Sequence, residues 1–115
     1  MTLARKYRLG RDGIKHVMNV GKTVRGSFFF IKFLVNNSGH TRIAVTVSLK
    51  VSKKSVHRNK IKRMATRLIE KVGVLEKPLD AVIVAVPSIV GKSNEEIKRD
   101  LETIIKKTFV NKANN

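Results

Sequence analysis

Hydrophobic and polar positions follow two different periods along this chain, and the switches between them predict its elements. Near the start, Ile14, Val17 and Met18 fall at i, i+3 and i+4, which marks one face of a short helix. Asp12 is placed to cap that helix and Gly21 to stop it, leaving Lys15, His16 and Asn19 on other sides. "SFFFIKFLV" and "TRIAVTVS" are β-branched and aromatic runs. The "NNSGH" between them has the asparagine and glycine of a hairpin turn, so the two strands are expected to pair antiparallel. A short extra strand has room near Lys22 to Val24. The helical period then returns: Ile61, Met64, Ala65, Leu68 and Val72 form the apolar stripe of a long helix from about Val56 to Val72, closed by Gly73. "DAVIVAV" reads as a strand buried on both faces and ending at Pro87. Ser93 and Glu96 form a capping box for a last helix, on which Ile97, Leu101, Ile104 and Ile105 share a face. "NKANN" at the end reads as a disordered tail. The order α-β-β-α-β-α gives a single α+β domain, helices packed on a central, mostly antiparallel sheet.

Composition narrows the chemistry. At 115 residues the chain can bury roughly 65% of its unfolded surface, enough for one core without staples. Cysteine is absent, which removes thiolate metal sites, thiol nucleophiles and disulfides together. The apolar run "AVIVAV" is far short of the ~20 residues that span a bilayer, and "MTLARKYRLGR" lacks the apolar segment of a secretory signal. A cytoplasmic protein with no membrane partner is expected. Charge is the strongest global feature: 25 Lys and Arg against 8 Asp and Glu give +17, a field that favours a polyanion, nucleic acid first.

The charge concentrates on the central helix and the loop before it. At ~100° per residue, Arg58 and Lys62 stack on one flank of the apolar stripe, while Asn59 and Arg63 stack on the far side and Arg67 continues that row. Lys50, Lys53 and Lys54 precede them. Like charges at i, i+4 destabilise an isolated helix by ~0.2–0.5 kcal/mol per pair, a cost that phosphates would relieve.

"RNKIKR" at 58–63 matches the Arg-Asn-x-x-Lys-Arg signature of the bacterial ribonuclease P protein subunit, and "KSVHRN" resembles that family's approach to the helix. "KYRLGRDGIKHVMNVGK" is similar to its N-terminal helix and glycine, "RIAVTVSLKVSKK" to its Ser-Lys-Lys strand, and "LDAVIVAVP…SNEEIKRDLETIIKK" to its last strand and helix. The family's signature usually continues to an Arg three positions after the Lys-Arg pair and then an acid; here those places hold Thr66 and Arg67. The loop "SLKVSKKS" is one residue longer than usual and the first helix one shorter.

The resemblance implies an uncommon left-handed crossover through the central helix. It also implies a ribonucleoprotein endonuclease in which the RNA subunit, with Mg²⁺, removes the 5′ leader of precursor tRNA. The protein then binds no cofactor or metal itself, and pairs with the RNA one to one. Arg58, Asn59, Lys62, Arg63, Arg67, Lys50, Lys53 and Lys54 would contact the RNA subunit, and a cleft between the first helix and the sheet would hold the leader.

The residues themselves offer little catalysis. The eight acids include no paired carboxylates on a strand end, and four of them, Glu95, Glu96, Asp100 and Glu102, read as surface residues of the last helix. His16, His40 and His57 lie on three different elements. For the cleft, period 2 puts Phe29, Ile31 and Phe33 on one face and Phe28, Phe30 and Lys32 on the other. The set with lysine is expected to face outward as a base-stacking surface. Ile14 and Met18 occupy the helix positions where the family commonly has phenylalanines, and plain core packing is the competing account of both. Two rival functions remain open: a ribosomal or other structural RNA-binding protein, and an RNA-recognition motif. The motif is disfavoured by its β-α-β-β-α-β order and its need for small residues where Phe28 and Phe30 stand.

Overall fold

The structure, a computed structural model, describes residues 4–73 and 76–112. Three helices, α1 (Arg11–Val20), α2 (Ser55–Val72) and α3 (Asn94–Ile105), pack on four strands, β1 (Lys22–Arg25), β2 (Phe29–Val35), β3 (Arg42–Val47) and β4 (Leu79–Ala85). The architecture is α+β, and the short strand at residues 22–25 is present as β1.

The strand order is β1-β2-β4-β3, which corrects the expected β2–β3 hairpin. β4 lies between the two, antiparallel to β2 and parallel to β3. The reason is burial. Ala81, Val82 and Ile83 of β4 are all inaccessible to solvent, and a strand apolar on both sides needs a neighbour on each edge and a layer on each face. The "NNSGH" turn chemistry is still used. Gly39 has φ 77° and the Ser38 amide donates to Asn36 Oδ1, but the link spans the end of β4, two strand spacings or about 10 Å.

On one face of the sheet lies the main core, where Phe29, Ile31 and Phe33 meet Met64, Ala65, Leu68 and Ile69 of α2 and Ile97, Leu101, Ile104 and Ile105 of α3. Ile69 is fully buried, whereas Ile61 and Val72, placed in the stripe by spacing, are only half-buried. After α3 the chain widens into a π-helix over Lys106–Lys112, and Phe109 is buried in this core. Of the tail expected at 111–115, residues 113–115 lie outside the described residues. The other face carries a smaller cluster, Leu9, Val17 and Val82, with Ile14, Met18, Leu34, Ala44 and Val84 around it.

Helix ends follow from local chemistry, with one correction. Gly10, not Asp12, is the N-cap of α1, and no side chain caps that helix; Asp12 sits inside the first turn, where a carboxylate still favours the helix dipole. Gly73 ends α2 in the left-handed region, φ 76°, as glycine does without a Cβ penalty. The Ser93–Glu96 capping box of α3 is fully formed.

Candidate nucleic-acid interface

α2 displays the cations. Its buried residues Met64, Ala65, Leu68 and Ile69 turn one side to the core, so the charged positions are pushed to the flanks and the outer surface. Asn59, Lys60, Lys62, Arg63, Arg67 and Lys71 are exposed and Arg58 is half-buried. No acid occupies the first turn of α2, leaving the positive end of its dipole available to an anion.

The preceding loop is fastened to this helix. Val51 is buried, Arg58 Nη1 donates to the Ser52 carbonyl at 2.9 Å, and Ser52 Oγ lies 3.3 Å from His57 Nδ1. Lys50, Lys53 and Lys54 are therefore held exposed beside the start of α2. Thr66 donates from Oγ1 to the Lys62 carbonyl at 3.0 Å, so it turns back onto its own helix and contributes no charge.

The flanks of α2 differ in a way that spacing alone did not show. Arg63 and Arg67 line a groove of about 460 Å³ against α3, together with Lys60, Lys71 and Lys98. Arg58 and Lys62 are not part of that groove and belong to the flank that carries the bond to the loop.

On the α1 side of the sheet, Phe30 and Lys32 project from β2 about 7 Å apart, both half-buried. Their cross-strand partners are Arg25 and Val84 for Phe30, and Thr23 and Val82 for Lys32. The Arg25 guanidinium carbon lies 5.8 Å from the centroid of the Phe30 ring, a cation–π contact that presents an aromatic face and a charge together. Ile14 and Met18 are half-buried, packed against the small cluster of Leu9, Val17 and Val82 on the same side of the sheet.

Phe28 does not join Phe30 and Lys32. Gly26 N–H donates to the Phe29 carbonyl at 2.8 Å, closing a tight β1–β2 turn that breaks the period-2 alternation before β2 begins. Phe28 instead packs against the main core and borders a hollow shared with Arg99, Asp100 and Thr103 of α3, with the Lys92 ammonium 5.7 Å from its ring centroid. A Cβ on Gly26 would come within 2.8 Å of the Asp100 carboxylate, so glycine is needed where this turn meets α3.

Two of the acids hold the fold together. Asp80, only 7% exposed, accepts from Arg42 Nε at 2.8 Å, from Arg42 Nη2 at 2.7 Å and from Asn36 Nδ2 at 2.7 Å. Hydrogen bonding to Asp80 raises the pKa of Arg42 above its ordinary value. Asp100 accepts from the backbone N–H groups of Ser27 and Phe28 at 2.8 and 2.9 Å, which corrects its reading as a plain surface residue. Both carboxylates are joined to partners more than 35 positions away, a distance that helical or strand periodicity does not reach. Among the described residues no group of three or more His, Cys, Asp or Glu side chains gathers, and no helix is long and apolar enough to cross a membrane. His40 lies against the Ser38 and Lys6 carbonyls, His57 in the first turn of α2 lies against Ser52 Oγ, and His16 is exposed on α1.

The Ribonuclease P family profile matches residues 3–108. The chain belongs to the Ribonuclease P family. Relatives named ribonuclease P protein component include one from Pseudanabaena, 32% identical over 102 residues, covering 87% of this chain and 88% of that one. Another, from Synechocystis, is 36% identical over 90 residues, covering 76% and 73%. Among solved structures, the RNase P protein of Staphylococcus aureus superposes with a TM-score of 0.78 at 26% identity, covering 90% of this chain and 96% of that one. The ribonuclease P fold accordingly extends over nearly all of the chain.

Proposed function

We infer that this chain is the protein component of ribonuclease P, acting in 5′ maturation of tRNA by binding the RNA subunit and the 5′ leader of precursor tRNA. The observation that carries the reading is the match to the Ribonuclease P family over residues 3–108. The geometry supports it with two separate surfaces on one small domain: the cationic flanks of α2 with their fastened loop, and the Phe30, Lys32 and Arg25 row on the α1 side of the sheet. Phosphates suit the first, since uniform positive charge on a helix is relieved by a polyanion. Unpaired bases suit the second, because an aromatic face beside a cation stacks any base without reading its sequence.

In this reading the RNA subunit, with Mg²⁺, performs the hydrolysis and the protein positions substrate. Three of the chain's acids, Asp80, Asp100 and Glu96, are engaged with partners inside the fold. One protein per RNA subunit is the expected stoichiometry. The test is reconstitution: the protein is added to a bacterial ribonuclease P RNA at low Mg²⁺ and leader removal from precursor tRNA is followed. Stimulated cleavage is expected. Absence of stimulation would overturn the reading in favour of a structural RNA-binding protein.

A further inference from the structure

The groove between α2 and α3 is built unlike a small-molecule pocket. Its floor is the turn of α2 bearing Met64 and Leu68, both buried, but its rim carries Lys60, Arg63, Arg67 and Lys71 from α2 and Lys98 from α3. None of these five is in an ion pair with a described residue. The acids closest in sequence do not line it: Glu96 is committed to capping Ser93, and Glu70 and Glu95 lie outside its wall. Asn94, the first residue of α3, does line it, so the positive end of a 12-residue helix dipole adds to the same field.

The α2 cations stand at 60, 63, 67 and 71, a row at helical spacing that runs about 16 Å along the axis. Three successive like-charge neighbours at i+3 and i+4 oppose helix formation. A single small anion would neutralise one or two of them, whereas an extended sugar–phosphate backbone can follow the whole row. The groove lies round the helix from Arg58 and Lys62, which face away from α3, so one RNA segment on that flank would leave it unoccupied.

We propose that the α2–α3 groove seats a second stretch of RNA-subunit backbone, distinct from the one bound by Arg58, Lys62 and the preceding loop, with α3 contributing through Lys98. This rests on the ribonuclease P reading above. The absence of cysteine makes a direct test available. Asn94→Cys places a unique thiol in the groove and Ser55→Cys places one on the flank of α2 that carries Arg58 and Lys62. Each is tethered to iron–EDTA, and the complex with ribonuclease P RNA is mapped by hydroxyl-radical cleavage. Cuts from both positions in different RNA segments are expected. Cuts from position 55 alone, or from both at the same nucleotides, overturn the second seat and leave the functional reading intact. No RNA binding by any form overturns both.

A second measurement is independent of the tether. The variant Lys60→Gln, Lys71→Gln, Lys98→Gln, with unchanged circular dichroism, should lower the slope of log K against log salt for the RNA subunit by about 2–3, from ~0.7–0.9 per lost phosphate contact. An unchanged slope removes the groove from the interface.

Discussion

On the α2 and α3 side of the sheet, β2 contributes Phe29, Ile31 and Phe33, exposed by 1%, 0% and 6%; on the α1 side the same strand contributes Phe30 and Lys32, both half-exposed. The first face is closed by two helices and the buried Phe109. Among the described residues the second is covered by a ten-residue helix and a small cluster, and it mixes an aromatic ring, cations and the half-buried Arg42–Asp80 pair. One strand therefore has two unlike rows: its inner row is sealed in the core and its outer row stays partly open to solvent.

The two rows should respond very differently to truncation, the inner one most strongly. Ile31→Ala should cost about 2–5 kcal/mol in urea unfolding, because a fully buried aliphatic side chain leaves a cavity. A loss as small as that of an outer-row variant would mean the inner face is not the main core. Next in size is Asp80→Ala, which strands the charged Arg42 donors and should cost about 1.5–3 kcal/mol. The low end is favoured because the Arg42 side chain is 38% exposed and can turn to water. No change in unfolding midpoint would show that the pair is dispensable to the α1 face.

Phe30→Ala tests the outer row for recognition. Affinity of the assembled enzyme for precursor tRNA should fall by about 1–3 kcal/mol, the worth of one base–aromatic stack, with mature tRNA little affected. Equal losses for both RNAs would return Phe30 to a structural role. The smallest effect lies far from both rows, at the start of α3. Hydrogen bonds from the Ser93 backbone and hydroxyl lower the pKa of Glu96 below its ordinary 4.5. Its contribution to stability is thus fully present above about pH 4.5 and is lost as pH falls through the lower folded value. Glu96→Gln should flatten that small acid-side slope, and an identical pH profile would exclude the capping box as its source.

Local chemistry by itself determined a large part of this protein. The Ser93–Glu96 box, the αL stop at Gly73, the two-sided apolarity of β4 and the inward row of β2 all depend on residues a few positions apart, and each is where spacing puts it; the α2 stripe is too at Met64, Ala65 and Leu68, with Ile69 buried in addition. Net charge and the 58–63 signature pointed to RNA for the same reason, since a helix displays its own sequence. What spacing left open was decided by contacts between distant segments. β4 separates β2 from β3 because only a central position buries both its faces, and Phe28 leaves the outer row because a tight turn anchored by Asp100 of α3 interrupts the strand before it starts. Asp80 meets Arg42 only once β3 and β4 are neighbours. The basic residues of α2, one population in sequence, become two because α3 packs along one flank and turns Lys60, Arg63, Arg67 and Lys71 into the wall of a groove.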